Sequence, residues 1–126
     1  MPNVPDRTHL APGLDISRLV CGLWQVADLE KGGTLLDPDA AADRLEDYAR
    51  AGFDTFDMAD HYGSAEIITG RLLARFTGDK RPLAFTKWCP EPGPMTPEVV
   101  RAGVTERLTR LGVERIDLLQ LHWWGF

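Results

Sequence analysis

One feature constrains this chain more than any other: a short apolar run of strand character is followed by a longer run of helical character, and the pair returns about every 30–35 residues. The strand-like runs are "RLVCGLW" (Arg18–Trp24), "FDTFDM" (Phe53–Met58), "LAFTKWC" (Leu83–Cys89) and "IDLLQLH" (Ile116–His122). Between them the helix punctuation repeats itself. Asp37-Pro38 and Thr96-Pro97 each place a capping side chain before a proline at the first helical position, and Gly52 and Gly112 each close the helix that follows. After a loop holding Gly32 and Gly33, the first helix is expected to bury Ala41, Leu45, Tyr48 and Ala49. The second, from Ser64 to Phe76, buries Ile68, Leu72 and Phe76. The third buries Val100, Val104, Leu108 and Leu111.

Strands that alternate with helices form a parallel sheet with the helices outside it. The repeat matches the roughly 31 residues per unit of an eight-unit barrel of about 250 residues. The expected fold is therefore α/β: about four βα units, the first half of a (β/α)8 (TIM) barrel over residues 1–126, with a hairpin or an irregular lead-in over residues 1–16. No G-x-G-x-x-G follows the first strand, which argues against a doubly wound dinucleotide-binding fold. The sequence closes on "LHWWGF", just after the fourth strand, with no helix to cover that strand and no fifth strand to pair with it. Open parallel edges invite association. The expectation is a piece of a longer chain.

The barrel reading puts chemistry at a defined place. Side chains alternate faces along a strand, and the C-terminal rim is where such barrels react. Asp57 shares a face with Thr55 and Phe53, Lys87 with Phe85 and Leu83, and His122 with Gln120 and Leu118. If those faces point inward, three successive strands deliver ionisable groups to one mouth, and Tyr62 sits just above it on the loop after the second strand. A carboxylate supports a buried ammonium, the ammonium favours tyrosinate, and a tyrosine so placed can act as a general acid. The histidine can orient a polar oxygen. His9 and His61 show no partner pattern and are read as surface residues.

These residues carry a resemblance. "DMADHYG" resembles the D-x-A-x-x-Y-G signature of the aldo-keto reductase superfamily, and the likeness runs through "GFDTFDMADHYGSAE". "FTK" and "LLQLH" fit the family's lysine and histidine strands, and "RLVCGLW" is similar to its first strand, whose glycine lies beneath the cofactor. The resemblance implies hydride transfer between NADP(H) and an aldehyde, ketone or alcohol. It implies Tyr62 as general acid, Lys87 as the group that lowers its pKa, Asp57 holding Lys87 near the nicotinamide ribose, and His122 orienting the substrate carbonyl. Gly22, Leu23 and Trp24 would touch the nicotinamide end, with Trp24 also facing substrate. Met58 stands where the family commonly has threonine. Trp88, Trp123 and Trp124 are candidates to shape the pocket.

The family grips its cofactor mainly through later strands, and phosphate sites in such barrels follow strands 7 and 8. The chain alone is thus expected to bind NADP(H) weakly and to be inactive. Two alternatives stand beside the enzyme: a non-catalytic regulatory or binding protein of the same fold, and a half-barrel that associates through its open edges.

Composition narrows the partners. A net charge of -5 offers no basic face for nucleic acid. No apolar stretch reaches membrane-spanning length, and the polar, proline-rich "MPNVPDRTHLAPG" does not read as a signal peptide, so the cytoplasm is the expected location. Cys21 and Cys89 fall on the first and third strands, about 9–10 Å apart and too far for a disulfide. No Cys/His spacing suggests a metal.

Overall fold

The structure, a computed structural model, describes residues 4–122. Trp123 and Trp124, and residues 1–3 of the lead-in, lie outside the described residues. In chain order the elements are β1 (Arg7–Ala11), β2 (Leu14–Ser17), β3 (Cys21–Gly22), α1 (Trp24–Lys31), α2 (Pro38–Arg50), β4 (Thr55–Asp57), α3 (Ala65–Arg75), β5 (Leu83–Trp88), α4 (Pro97–Leu111) and β6 (Leu118–Leu121). β3, β4, β5 and β6 form a parallel sheet in that order, and the helices cover its outer face. This is the arrangement of the first four units of a (β/α)8 barrel.

The punctuation read from sequence works as local physics. Asp37 accepts a hydrogen bond from the Asp39 amide at 3.0 Å with Pro38 behind it, and Thr96 accepts from the Val99 amide at 3.3 Å with Pro97 behind it. Gly112 ends α4 in a left-handed conformation, φ 64°, that a residue with a Cβ adopts only at a cost. Between sheet and helices lies a core of Phe56, Met58, Ala84, Ala42, Ala49, Ala65, Ile68, Leu72 and Leu111. Met58, in the threonine position of the signature, is fully buried in it. Among the described residues no helix is long and apolar enough to cross a membrane.

The β1–β2 hairpin closes the N-terminal end of the sheet. Ser17 donates its amide to Thr55 Oγ1 at 3.3 Å, and the Arg7 guanidinium bridges Asp15 and the buried Asp54, with 3.2 Å from Nη1 to Asp54 Oδ1. Nothing in a period-two reading marks Asp54 for this role; its partner lies 47 residues away.

Three expectations need correction. The first strand does not run from Arg18 to Trp24. Pairing with the three-residue β4 covers only Cys21 and Gly22, after which the chain coils into α1 with Trp24 as its first residue. The stretch read as strand end and loop is therefore largely helix, and Gly32 follows it. Second, the inner face of α2 is turned by about one residue: Ala42 and Ala49 are buried, Ala41 and Leu45 half-buried, and Tyr48 exposed. Third, α4 buries Gly103, Arg107 and Leu111, while Val100 is exposed and Val104 and Leu108 are half-buried. Apolar periodicity alone could not find that face, because its centre is a glycine and an arginine.

Gly103 is there because Trp88 is. A Cβ at Gly103 would overlap the indole of Trp88, itself 7% exposed and unable to swing away. Overpacking costs about 1–3 kcal/mol, and alanine's helix propensity returns at most about 1 kcal/mol. Gly103→Ala is expected to lower the melting temperature of the chain despite the better helix former, as a thermal melt followed by circular dichroism will show.

Candidate active site

The sheet's stagger sets the site. Asp57 is in register with Gly22 on one side and Phe85 on the other, and Lys87 is in register with Gln120. Lys87 is thus one inward position further along than Asp57, and its long side chain closes the offset. Lys87 Nζ donates to Asp57 Oδ2 at 2.6 Å and to the Met58 carbonyl at 3.0 Å. The pair is half-buried, with side-chain exposures of 16% for Lys87 and 30% for Asp57, so it is shielded but reachable from the mouth.

Tyr62 sits on the loop that joins β4 to α3. Its amide donates to the Ala59 carbonyl at 3.1 Å and its carbonyl accepts from the Ala65 amide at 3.0 Å, a turn that raises the phenol over the strand ends. Lys87 Nζ lies 5.1 Å from the Tyr62 ring centroid, within cation–π range. Gly63 follows with φ 53°, and the space its missing Cβ leaves holds the Glu30 carboxylate of α1. That carboxylate accepts from the Ser64 amide at 3.0 Å and from the Ser64 hydroxyl, placing negative charge at the start of α3. The helix that sequence reading missed is therefore one of the supports of the tyrosine loop.

Aromatic rings complete the rim. Trp24 meets Tyr62 edge-on at 5.0 Å between centroids. His61 lies 5.1 Å from Tyr62 and 5.0 Å from His122. His122 follows β6, its amide donating to the Trp88 carbonyl at 2.8 Å. Partial burial, then the nearby His61 and Lys87, hold the His122 imidazole below its ordinary range, with Asp60 and Asp57 opposing. The shift favours the uncharged imidazole, which can donate one hydrogen bond.

Asp57, Tyr62, Lys87, His122 and Trp24 thus gather at one mouth, and Gly22 is exposed beside Asp57 with open space where a Cβ would stand. The side chain of Leu23 goes elsewhere, into the core at 6% exposure. Cys21 and Cys89 are both free; burial, then the Asp54 carboxylate, pushes the Cys21 thiol up.

Sequence reading missed His61 as part of the rim. It is an exposed residue, yet its Nδ1 lies 2.8 Å from Asp60 Oδ1 and its ring stands between Tyr62 and His122. The adjacent Asp60, inside the quoted motif, was the one available signal.

A model of the aldo/keto reductase family matches residues 18–126. The chain is 31% identical over 122 residues to the 6-dehydroglucose reductase of Novosphingobium aromaticivorans, covering 87% of this chain and 38% of that protein. It is 24% identical over 127 residues to the NADH-specific methylglyoxal reductase of Escherichia coli, covering 87% and 39%. Among solved structures, a glycerol dehydrogenase of Gluconobacter oxydans superimposes with a TM-score of 0.64 at 28% identity, covering 88% of this chain and 37% of that one. An aldo-keto reductase from Pseudomonas aeruginosa superimposes with a TM-score of 0.74 at 25% identity, covering 97% and 50%. The chain therefore spans about two fifths of the curated relatives it matches and up to half of these solved structures. Since the family match runs through every strand of the parallel sheet, the chain belongs to the aldo/keto reductase family.

Proposed function

We propose that this chain carries the reacting groups of a nicotinamide-dependent oxidoreductase that interconverts small aldehydes or ketones and their alcohols, with NADP(H) as the dinucleotide. The observation that carries the reading is the Lys87–Asp57 pair at 2.6 Å lying beneath the Tyr62 ring at a rim open to small molecules. The residues fit such a cofactor: Gly22 leaves open space beside Asp57 for a flat ring, and the Asp57 carboxylate can accept from a ribose hydroxyl. When bound, the reduced nicotinamide supplies the hydride.

The chain's own groups manage the proton. Tyr62 gives its phenolic proton to the carbonyl oxygen as the carbon becomes saturated, leaving a tyrosinate. The Lys87 ammonium stabilises that anion, and Asp57 keeps Lys87 charged and aimed. The uncharged His122 donates to the same carbonyl oxygen and fixes its direction. Trp24 and the His61 ring wall the mouth and limit water. In the oxidative direction the proton returns to tyrosinate along the same path.

NADPH oxidation by the natural full-length protein with a panel of small aldehydes tests this reading. Turnover above the aldehyde-free rate is expected, and its absence across the panel while the cofactor binds would point to the non-catalytic reading. The 126-residue chain, read as the N-terminal half of the barrel, is expected to show no measurable turnover in the same assay.

A second reading, association through the sheet edges, is favoured by one observation: β3 and β6 both lie at edges of the sheet, and Leu121 on β6 is 71% exposed. Size-exclusion chromatography of the chain decides it, a monomer counting against.

A further inference from the structure

We propose that Arg107 is a positioning residue for Tyr62, acting through the carboxylates of Asp60 and Glu66 that bracket the tyrosine loop. The proposal rests on the reading of Tyr62 as general acid only for its catalytic consequence; the mechanical part stands on contacts.

Arg107 is on α4, in the layer outside the sheet, and is 3% exposed. A cation is rarely buried so deeply without partners. Its partners lie on both sides of Tyr62. Nη1 is 3.6 Å from Asp60 Oδ2, two residues before the tyrosine, and Nε is 3.0 Å from Glu66 Oε2, four residues after it; both are ion-pair contacts and neither has the geometry of a hydrogen bond. Its Nη2 meets the exposed Glu106 at 3.1 Å. One guanidinium fork thus spans the two ends of a short polar loop.

The carboxylates are held from other directions as well. Glu66 is fully buried and accepts from Thr86 Oγ1 of β5 at 2.9 Å and from Arg110 Nε at 3.0 Å. Arg110 also donates to the Gly63 carbonyl, inside the loop itself. Asp60 Oδ2 accepts from the Cys89 amide at 2.8 Å, and the Asp60 amide donates to the Lys87 carbonyl at 2.9 Å. Asp60 therefore ties the loop to the strand end that carries Lys87, and Arg107 ties both to α4. The phenol and the ammonium are kept in one frame by a charge that touches neither. A lysine at 107 is a single point charge and cannot span both carboxylates as the planar fork does.

Two measurements test the proposal. In the 126-residue chain, amide exchange is followed for Arg107→Lys. Faster exchange at Tyr62, relative to the β5 amides, is expected. A change that is equal across both, or no change, would overturn the positioning role whatever Tyr62 does chemically. In the natural full-length protein, Arg107→Lys is expected to lower kcat about tenfold, with KM for the aldehyde and cofactor affinity within about twofold. The isotope effect with cofactor deuterated at nicotinamide C4 should become larger as chemistry slows. Loss of folded enzyme alone would lower kcat and leave the isotope effect unchanged, and that result counts against the proposal. Should Arg107→Lys fail to fold, Asp60→Asn serves: it keeps an acceptor for the Cys89 amide and removes the charge that Arg107 meets. The same kinetic signature is expected, and an unchanged kcat and isotope effect would overturn the proposal. If Tyr62→Phe proves fully active while exchange at the loop responds to Arg107→Lys, the general-acid reading fails and the positioning inference stands.

Discussion

Tyr62→Phe in the natural full-length protein is expected to lower kcat by about a hundredfold to ten-thousandfold, the range of a lost general acid, with cofactor affinity unchanged. The substitution removes one oxygen and keeps the ring. Trp24, at 5.0 Å edge-on, keeps its neighbour, and Lys87 keeps an aromatic face 5.1 Å away. The loop is held by backbone hydrogen bonds from the Tyr62 amide to the Ala59 carbonyl and from the Ala65 amide to the Tyr62 carbonyl, which do not involve the phenol. On the proposed mechanism, what disappears is the proton that reaches the carbonyl oxygen as hydride reaches the carbon. Steady-state NADPH oxidation, with cofactor binding followed by fluorescence, separates the two effects. A rate within about threefold of the parent would remove Tyr62 from the mechanism.

Glu66→Ala is expected to cost about 3–5 kcal/mol of stability, because removing one partner of a buried ion pair strands the other. Arg107, at 3% exposure, would lose its nearest carboxylate, and Thr86 its hydrogen-bond acceptor. Arg110, more exposed, can turn to water. Burial raises the Glu66 pKa, outweighing Thr86 and the two arginines that lower it, so ionisation here is opposed by the core and tolerated because of those partners. The cost is therefore that of a buried guanidinium left with only the 3.6 Å contact to Asp60 and the exposed Glu106, and not the net worth of the bridge. For a domain of this size a loss of that order lowers the melting temperature by about 10–20 °C, or leaves the chain unfolded if its total stability is at the low end of the usual 5–15 kcal/mol. A denaturant titration with an unchanged midpoint would show that the α3–α4 contact is not held by this carboxylate.

Both predictions turn on contacts of different legibility. The order of strands and helices was readable because capping and strand alternation are local: Asp37-Pro38, Thr96-Pro97 and Gly112 specify helix ends through backbone geometry that each residue carries with it. The alternation along β4 and β5 likewise grouped Asp57 with Thr55 and Lys87 with Phe85, and the structure turns the two groups toward each other, with Lys87 Nζ 2.6 Å from Asp57 Oδ2. The quoted motif carried Tyr62 with them. By contrast, α1 escaped notice because its start depends on where β3 stops, and β3 stops where β4 offers no further pairing.

Taken alone, the amino-acid sequence determined the parallel α/β architecture and directed Asp57, Tyr62, Lys87 and His122 toward one rim, properties written in short-range periodicity and turn chemistry. Only the tertiary structure decided that α4 turns an arginine inward, that Glu30 fills the space at Gly63 and that His61 stands between Tyr62 and His122. The physical reason is desolvation: a charged or small residue belongs in an interior only if distant segments supply its partners or need its space. Those segments lie 33 residues apart for Glu30 and Gly63 and 41 for Glu66 and Arg107, separations on which local pattern is silent.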